Sequence, residues 1–133
     1  MTAYRESNMH PNLTILNLYH IKTTPQAFLT AITKLAARVQ AEGHRGVLDY
    51  RFFCAPELMQ ARAVIDYVGP EAWIGHHDIA MSWPEMQALH QAAQLVEVVF
   101  LGEMTAEIRG WIDRSALSAR VITGFSQAAG FQR

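Results

Sequence analysis

One helix with both ends marked constrains this chain more than any other feature. Phe28, Ile32, Leu35 and Val39 recur at steps of four, three and four, a spacing that lines one face of an α-helix and no face of a strand. Thr24 is placed to act as N-cap, and Pro25 takes the first helical position, where its missing N–H costs nothing. Gly43 supplies the stop. A helix with one apolar stripe needs a surface to lie on, and its neighbours in sequence are strand-like. "LTILNLYHIK" (13–22) precedes it; "GVLDYRFFC" (46–54) and "ARAVIDYV" (61–68) follow, joined by the short connection "APELMQ". The last two runs should pair antiparallel, since a connection that short makes a hairpin.

Gly69-Pro70 ends the third strand, and Pro70-Glu71 opens a short helical segment carrying Trp73, His76, His77 and Trp83. Ser82, with Glu85 three residues on, resembles a capping box for a second helix bearing Met86, Leu89 and Ala93. "VEVVFLGEM" (96–104) then reads as a buried strand. The order strand, helix, strand, strand, helix, strand is that of a ferredoxin-like βαββαβ protomer, α+β in class, with an antiparallel four-stranded sheet and both helices on one face. Alternation assigns Asn17 and Tyr19 from the first strand, and Asp49 and Arg51 from the second, to the uncovered face. A face of that mixed polar and aromatic character calls for a ligand cavity or a partner subunit. Asp49, Arg51 and Asp66 read as a solvated or interfacial ion pair.

The 133 residues, half of them hydrophobic, suffice for one domain with a core. Residues 1–12 read as a flexible N-terminal arm and 13–105 as the domain. Residues 106–133 read as a C-terminal extension whose Ile108, Trp111, Ile112, Val121, Ile122, Phe125 and Phe131 need cover from the domain or the partner subunit. A net charge of −1 without a basic stripe argues against nucleic acid. The absence of a long apolar run or a leader-like start leads to the expectation of a cytoplasmic protein that does not engage membranes. Cys54, the single cysteine, excludes an intrachain disulfide and reads as a buried apolar residue.

Three segments in this order resemble the antibiotic biosynthesis monooxygenase-like family of the dimeric α+β barrel superfamily. Gly46-Val47-Leu48-Asp49-Tyr50 is similar to the family's Gly-x-Leu-x-Tyr second strand, and Glu71-Ala72-Trp73-Ile74-Gly75-His76 to its Glu-Ala-aromatic-x-x-His helix. Residues 96–104 are similar to its last core strand. The resemblance implies a homodimer with two sheets packed face to face as a barrel, and a pocket between sheet and helices that takes a small-molecule ligand. It also implies oxidation of phenolic or quinol-like compounds with no metal and no cofactor, because such a substrate is its own reductant. A non-enzymatic small-ligand binding or sensing dimer is the alternative, and a haem-binding or haem-degrading protein a third reading.

The site residues implied are His76 and Tyr67 as catalytic groups, with Asn17, Trp73 and Trp83 binding substrate. His76 stands between two roles, pocket base or donor and structural histidine, and Trp73 between pocket wall and core. His77 reads as a surface residue, because neighbours on a helix point about 100° apart and do not chelate one ion. Haem ligation lacks its axial histidine at the family's position, since Met86 stands there and indole has no lone pair to offer iron, which leaves only His90 or His20 in another register; His20, at a strand end, reads as a surface residue. Where monooxygenases of the group often carry Trp and, four residues earlier, Asn, this chain has Tyr67 and Ala63.

Overall fold

The computed structural model describes residues 10–133. Its elements run β1 (Leu13–Ile21), α1 (Pro25–Glu42), β2 (Val47–Ala55), β3 (Gln60–Tyr67), α2 (Pro70–Ala80), α3 (Pro84–Ala92), β4 (Ala93–Gly102), α4 (Ala106–Arg114) and β5 (Arg120–Phe125). The strands form one sheet in the order β2-β3-β1-β4-β5. The first four pair antiparallel in the ferredoxin-like arrangement, and the 56–58 connection is a single 3-10 turn followed by Met59 in the left-handed region.

A four-stranded antiparallel sheet is corrected by β5, which adds to the free edge of β4 in parallel. A parallel neighbour requires a crossover, because the chain must return to the start of the strand it joins. Residues 103–119, with α4 in their middle, make that return, and α4 packs on α2. The arm expected over residues 1–12 falls mostly on residues 1–9, outside the described residues; Asn12 is already tied to Tyr67 O through its backbone N–H at 3.1 Å.

Helix α1 forms where its pattern demands. Thr24 Oγ1 accepts the Ala27 N–H at 3.0 Å, and Phe28, Ala31, Ile32, Leu35 and Val39 are buried against the sheet. Each fully buried side chain of this size contributes about 1.5–3 kcal/mol relative to exposure. Helix α3 starts differently from the capping box at Ser82. Trp83 is the N-cap, Pro84 follows it, and no side chain caps the helix. Glu85 instead pairs with Arg38 of α1 at 2.9 Å, so the second half of the box is drawn across to a neighbouring helix.

The faces of the sheet also depart from expectation. Asn17 and Tyr19 are buried on the helix side with Ile15, Ala61, Ala63, Ile65 and Tyr67, not on the open face. β1 carries apolar residues in both phases, Leu16 and Leu18 in one and Ile15 and Tyr19 in the other, so alternation alone does not orient it. Tyr19 lies 5.9 Å from the Phe28 ring of α1, and this packing fixes its side. Asp49 and Arg51 do occupy the open face, where they pair with each other at 3.3 Å while half exposed. Asp66 accepts from Thr14 Oγ1 instead. Cys54 is exposed near the end of β2, which among the described residues is an edge strand of the sheet.

Candidate functional site

Between the sheet and helices α2, α3 and α4 lies a cavity of about 370 Å³. The sheet supplies Asn17, Tyr19, Tyr50, Tyr67 and Phe100 to its wall, and the helices supply Trp73, His76, His77, His90 and Trp111. Two close approaches set α2 down on the turn that leads into β2. A Cβ on Gly46 would stand 2.5 Å from the Ala72 Cβ, and one on Gly75 would stand 2.3 Å from the His44 ring. The Ala72 methyl cannot swing aside, so glycine at 46 is what lets the turn before β2 meet α2 this closely, whereas the His44 ring beside Gly75 is the movable end of a side chain. The approach brings the His76 ring to 5.4 Å from Tyr50 and 5.9 Å from Tyr67.

Four of the five residues singled out from sequence therefore meet in one space: His76, Tyr67, Asn17 and Trp73. Trp83 does not line the cavity; it is buried elsewhere under the Arg38 guanidinium, 4.3 Å from its ring centroid. A cation–π contact between α1 and α3 gives that tryptophan a packing role.

His77 is corrected from a surface residue to a wall residue. Its ring stacks on Trp73 at 3.9 Å, and its Nδ1 donates to the Trp73 carbonyl at 2.7 Å. Because a carbonyl only accepts, that bond places the proton on Nδ1 and leaves Nε2 as a lone pair in the neutral ring. The two adjacent rings are 5.1 Å apart and nearly perpendicular. Among the described residues, no three His, Cys, Asp or Glu side chains are grouped to hold a metal ion.

Apart from Lys22, the side chains that line the cavity carry no formal charge. Burial, helped by the neighbouring His77 and His44, lowers the His76 pKa to about 3. Burial likewise brings His77 to about 4, with its Trp73 hydrogen bond acting in the opposite direction. Burial pushes Tyr19 up to about 12 against its hydrogen bond to Asn17, and raises Tyr50 and Tyr67 as well. At neutral pH the cavity presents neutral imidazoles and phenol O–H groups.

Two polar atoms of this wall have no partner among the described residues: His76 Nδ1 and Asn17 Oδ1. Asn17 spends its amide N–H on Tyr19 Oη at 3.3 Å, which leaves the carbonyl oxygen idle. A buried polar atom without a partner costs about 1–3 kcal/mol, so two on one cavity are the mark of a site completed by something else. Asn17 Oδ1 only accepts, whereas a neutral His76 accepts at Nδ1 in one tautomer and donates there in the other, so a molecule that completes both atoms brings at least one hydroxyl or N–H donor.

Sequence reasoning missed Tyr50, His77, His90, Trp111 and the segment Ser115–Ser118 as wall residues. Tyr50 had a usable signal, since it alternates with the open-face pair Asp49 and Arg51. Trp111 had none, because it arrives through the crossover: its Nε1 donates to Asp78 Oδ1 at 3.0 Å and its ring meets Trp73 edge-on at 5.3 Å. His20 is exposed, whereas His90 faces the cavity.

No protein-family model matches the chain, and no curated protein matches it. Solved structures do. SnoaB, a cofactor-independent oxygenase from Streptomyces nogalater, is 12% identical with a TM-score of 0.61, covering 73% of this chain and 97% of its own. MupZ from Pseudomonas fluorescens is 18% identical with a TM-score of 0.63, covering 93% of this chain and 96% of its own. A Caulobacter crescentus protein with a provisional antibiotic biosynthesis monooxygenase assignment is 17% identical with a TM-score of 0.53, over 75% of this chain and 97% of its own. At these identities the likeness is one of fold. The chain has the ferredoxin-like fold of the antibiotic biosynthesis monooxygenase-like proteins, with β5 added.

Proposed function

We propose that this protein oxidises a small phenolic or quinol-like compound with molecular oxygen, using no bound cofactor. The observation that carries the reading is the pair of unpartnered polar atoms, His76 Nδ1 and Asn17 Oδ1, on a cavity walled by aromatic rings and tyrosine hydroxyls. A ligand with more than one hydroxyl completes both, donating to Asn17 Oδ1 and, where the ring proton sits on Nε2, to His76 Nδ1. The fold shared with an oxygenase that works without cofactor agrees with it.

Chemistry follows from what each group can do. The substrate hydroxyl donates to His76 Nδ1 and passes its proton there as the phenolate forms. A free imidazole with a pKa of about 3 is a weak base, but an anion formed against it in a dry cavity raises that pKa, because the ion pair is favoured where either charge alone is not. Tyr67 and Tyr50, held as O–H donors by burial, stabilise the anion. The electron-rich anion then reduces O2 by one electron and recombines with the resulting superoxide at carbon. Collapse of the peroxide puts one oxygen atom into the product as a ketone and releases the other as water. The substrate supplies all the reducing equivalents, and the wall excludes water from the intermediates. Trp73 with Phe100 and Trp111 forms flat surfaces for the rings.

The dimer of this reading would use the open sheet face. Leu16, Leu18, Val64 and Val99 share that face, flanked by Phe53 and Leu101, both substantially exposed. A second copy packed there would remove the apolar strip from water, and light scattering at a mass of two chains tests it.

Oxygen consumption with a panel of quinols and anthrone-type phenols tests the activity. Saturable uptake, reduced about 100-fold or more by His76→Ala, is the expected result; no uptake, or uptake unchanged in the variant, overturns it. A non-enzymatic binding dimer is favoured by one feature, Ala63. It pairs across strands with Asn17 and puts a methyl where the resembling pattern has an amide. Tight binding of the same phenols without turnover would select that reading.

A further inference from the structure

His77 is clamped by its neighbours, whereas His76, whose Nδ1 has no partner, is not. The His77 ring lies on Trp73 at 3.9 Å, with Trp111 and His76 edge-on to it at 5.2 and 5.1 Å. Its Nδ1–H is spent on the Trp73 carbonyl, one turn back in α2. That bond sets the tautomer and the plane of the ring together. The remaining nitrogen, Nε2, is a lone pair that nothing bonds among the described residues, and it is not sealed from the cavity that the ring lines. An imidazole oriented by a second group through one nitrogen, with the other left free, is the arrangement of a catalytic base.

The oxidation contains a proton transfer that His76 leaves unserved. His76 takes the hydroxyl proton and gives it back to the peroxide formed at carbon. The hydroperoxide then still carries a hydrogen on the oxidised carbon, and no ketone forms until that hydrogen leaves. A second base has to face that carbon. No aspartate or glutamate lines the cavity, and burial keeps Tyr50 and Tyr67 as O–H donors. His90 lines the wall from the last turn of α3, but no hydrogen bond fixes its ring among the described residues. His77 is fixed, and its ring stands 5.1 Å from that of His76, the same order as the span from a phenolic oxygen to the carbon para to it. One aromatic ring can therefore meet both histidines.

We propose that His77 Nε2 is the catalytic base that removes the hydrogen from the peroxide-bearing carbon. The proposal rests on the oxygenase reading and adds the residue that completes its reaction. Nε2 takes the proton, the C–H electron pair becomes the second bond of the carbonyl, the O–O bond breaks, and hydroxide leaves with the electrons of that bond. The hydroxide recovers the proton from the His77 imidazolium and departs as water, which returns the ring to its starting state. Substrate and O2 thus give ketone and one water with no outside reductant. Burial lowers His77 to about 4, and so weak a base suffices because the step exchanges a weak O–O bond for a carbonyl.

The test is an acid-quench time course on full-length His77→Gln with anthrone as substrate, in which quinone, organic hydroperoxide and O2 consumed are measured in the same samples. Glutamine keeps an N–H for the Trp73 carbonyl and has no basic nitrogen. The unaltered protein should form one quinone per O2. The variant should form less quinone per O2 by about tenfold or more, with the balance present as hydroperoxide. Should His77→Gln fail to fold, His77→Ala reads the same ratio, and added imidazole should restore it. A variant that still forms one quinone per O2, or one that slows without any hydroperoxide, overturns the proposal. Oxygen uptake by the unaltered protein with no hydroperoxide in either variant removes only the role of His77; no uptake by the unaltered protein removes the oxygenase reading and this role with it.

Discussion

The two sides of the cavity are built by different means. The sheet side presents Ile15, Tyr19, Ile65, Tyr67 and Phe100, all 4% exposed or less, and each is held by two neighbouring strands and a helix. The side formed by α4 and residues 115–118 is anchored by one fully buried residue, Ile108, together with the Trp111 contacts, and Trp111 and Ser115 are only half-buried. A wall set by packing from all directions keeps its shape, whereas one attached along a single seam is the part able to open. Access to the cavity should therefore depend on α4, and the position of the chemical groups on the strands and α2.

The largest contrast to break is mechanical. Phe100→Ala should cost about 3–5 kcal/mol of global stability through the hole it leaves in the core, read as a lower urea midpoint at unchanged slope. Ile108→Ala should cost about 2–4 kcal/mol and should also speed hydrogen exchange in residues 106–125 more than in β1 and β3. Equal acceleration in both regions would mean that the cover is not a separable unit.

Acid should sharpen the difference from the other direction. His76 and His77 are held at about 3 and about 4 from an ordinary 6.5, so between these values the unfolded chain binds more protons than the folded one. Stability is complete above about pH 6.5 and falls as the pH drops toward 3–4, by about 2 kcal/mol for each histidine at pH 5. Urea midpoints at pH 7 and pH 5 should differ accordingly, and His77→Gln should remove part of the difference. A midpoint insensitive to pH in this window would mean that these rings are solvated. The smallest expected effect is that of Asp78→Ala, which deletes the Trp111 hydrogen bond at the exposed seam. About 0.5–1.5 kcal/mol is expected, with faster ligand association and an unchanged optimum substrate.

The same division explains what could be read from the amino-acid order. Helix α1 declared itself through Thr24, Pro25 and a four-residue apolar stripe, and the β2–β3 hairpin through its short connection, because those signals are local. His76, Tyr67, Asn17 and Trp73 were found through motif position, and packing brings them together. Three features depended on contacts distant in sequence and left no local trace. The orientation of β1 was ambiguous because both phases are apolar. Trp83 resembles a pocket aromatic in sequence, but Arg38 of another helix lies over its ring. Strand β5, "RVITGF", is short, half-exposed and interrupted by Gly124 at φ +100°, and only pairing with β4 makes it a strand. The cover over the cavity was the hardest part to foresee, since its role follows from where the crossover passes and not from its composition.

The account turns on whether the unpartnered polar atoms of the wall serve an oxygenation. Turnover of an anthrone-type phenol under 18O2, in the presence of a metal chelator and without added flavin, tests this most directly. One labelled oxygen atom should enter the product ketone for each O2 consumed, and the rate should collapse in His76→Ala. Product labelled from solvent water instead, or formed at the same rate by the variant, would contradict it.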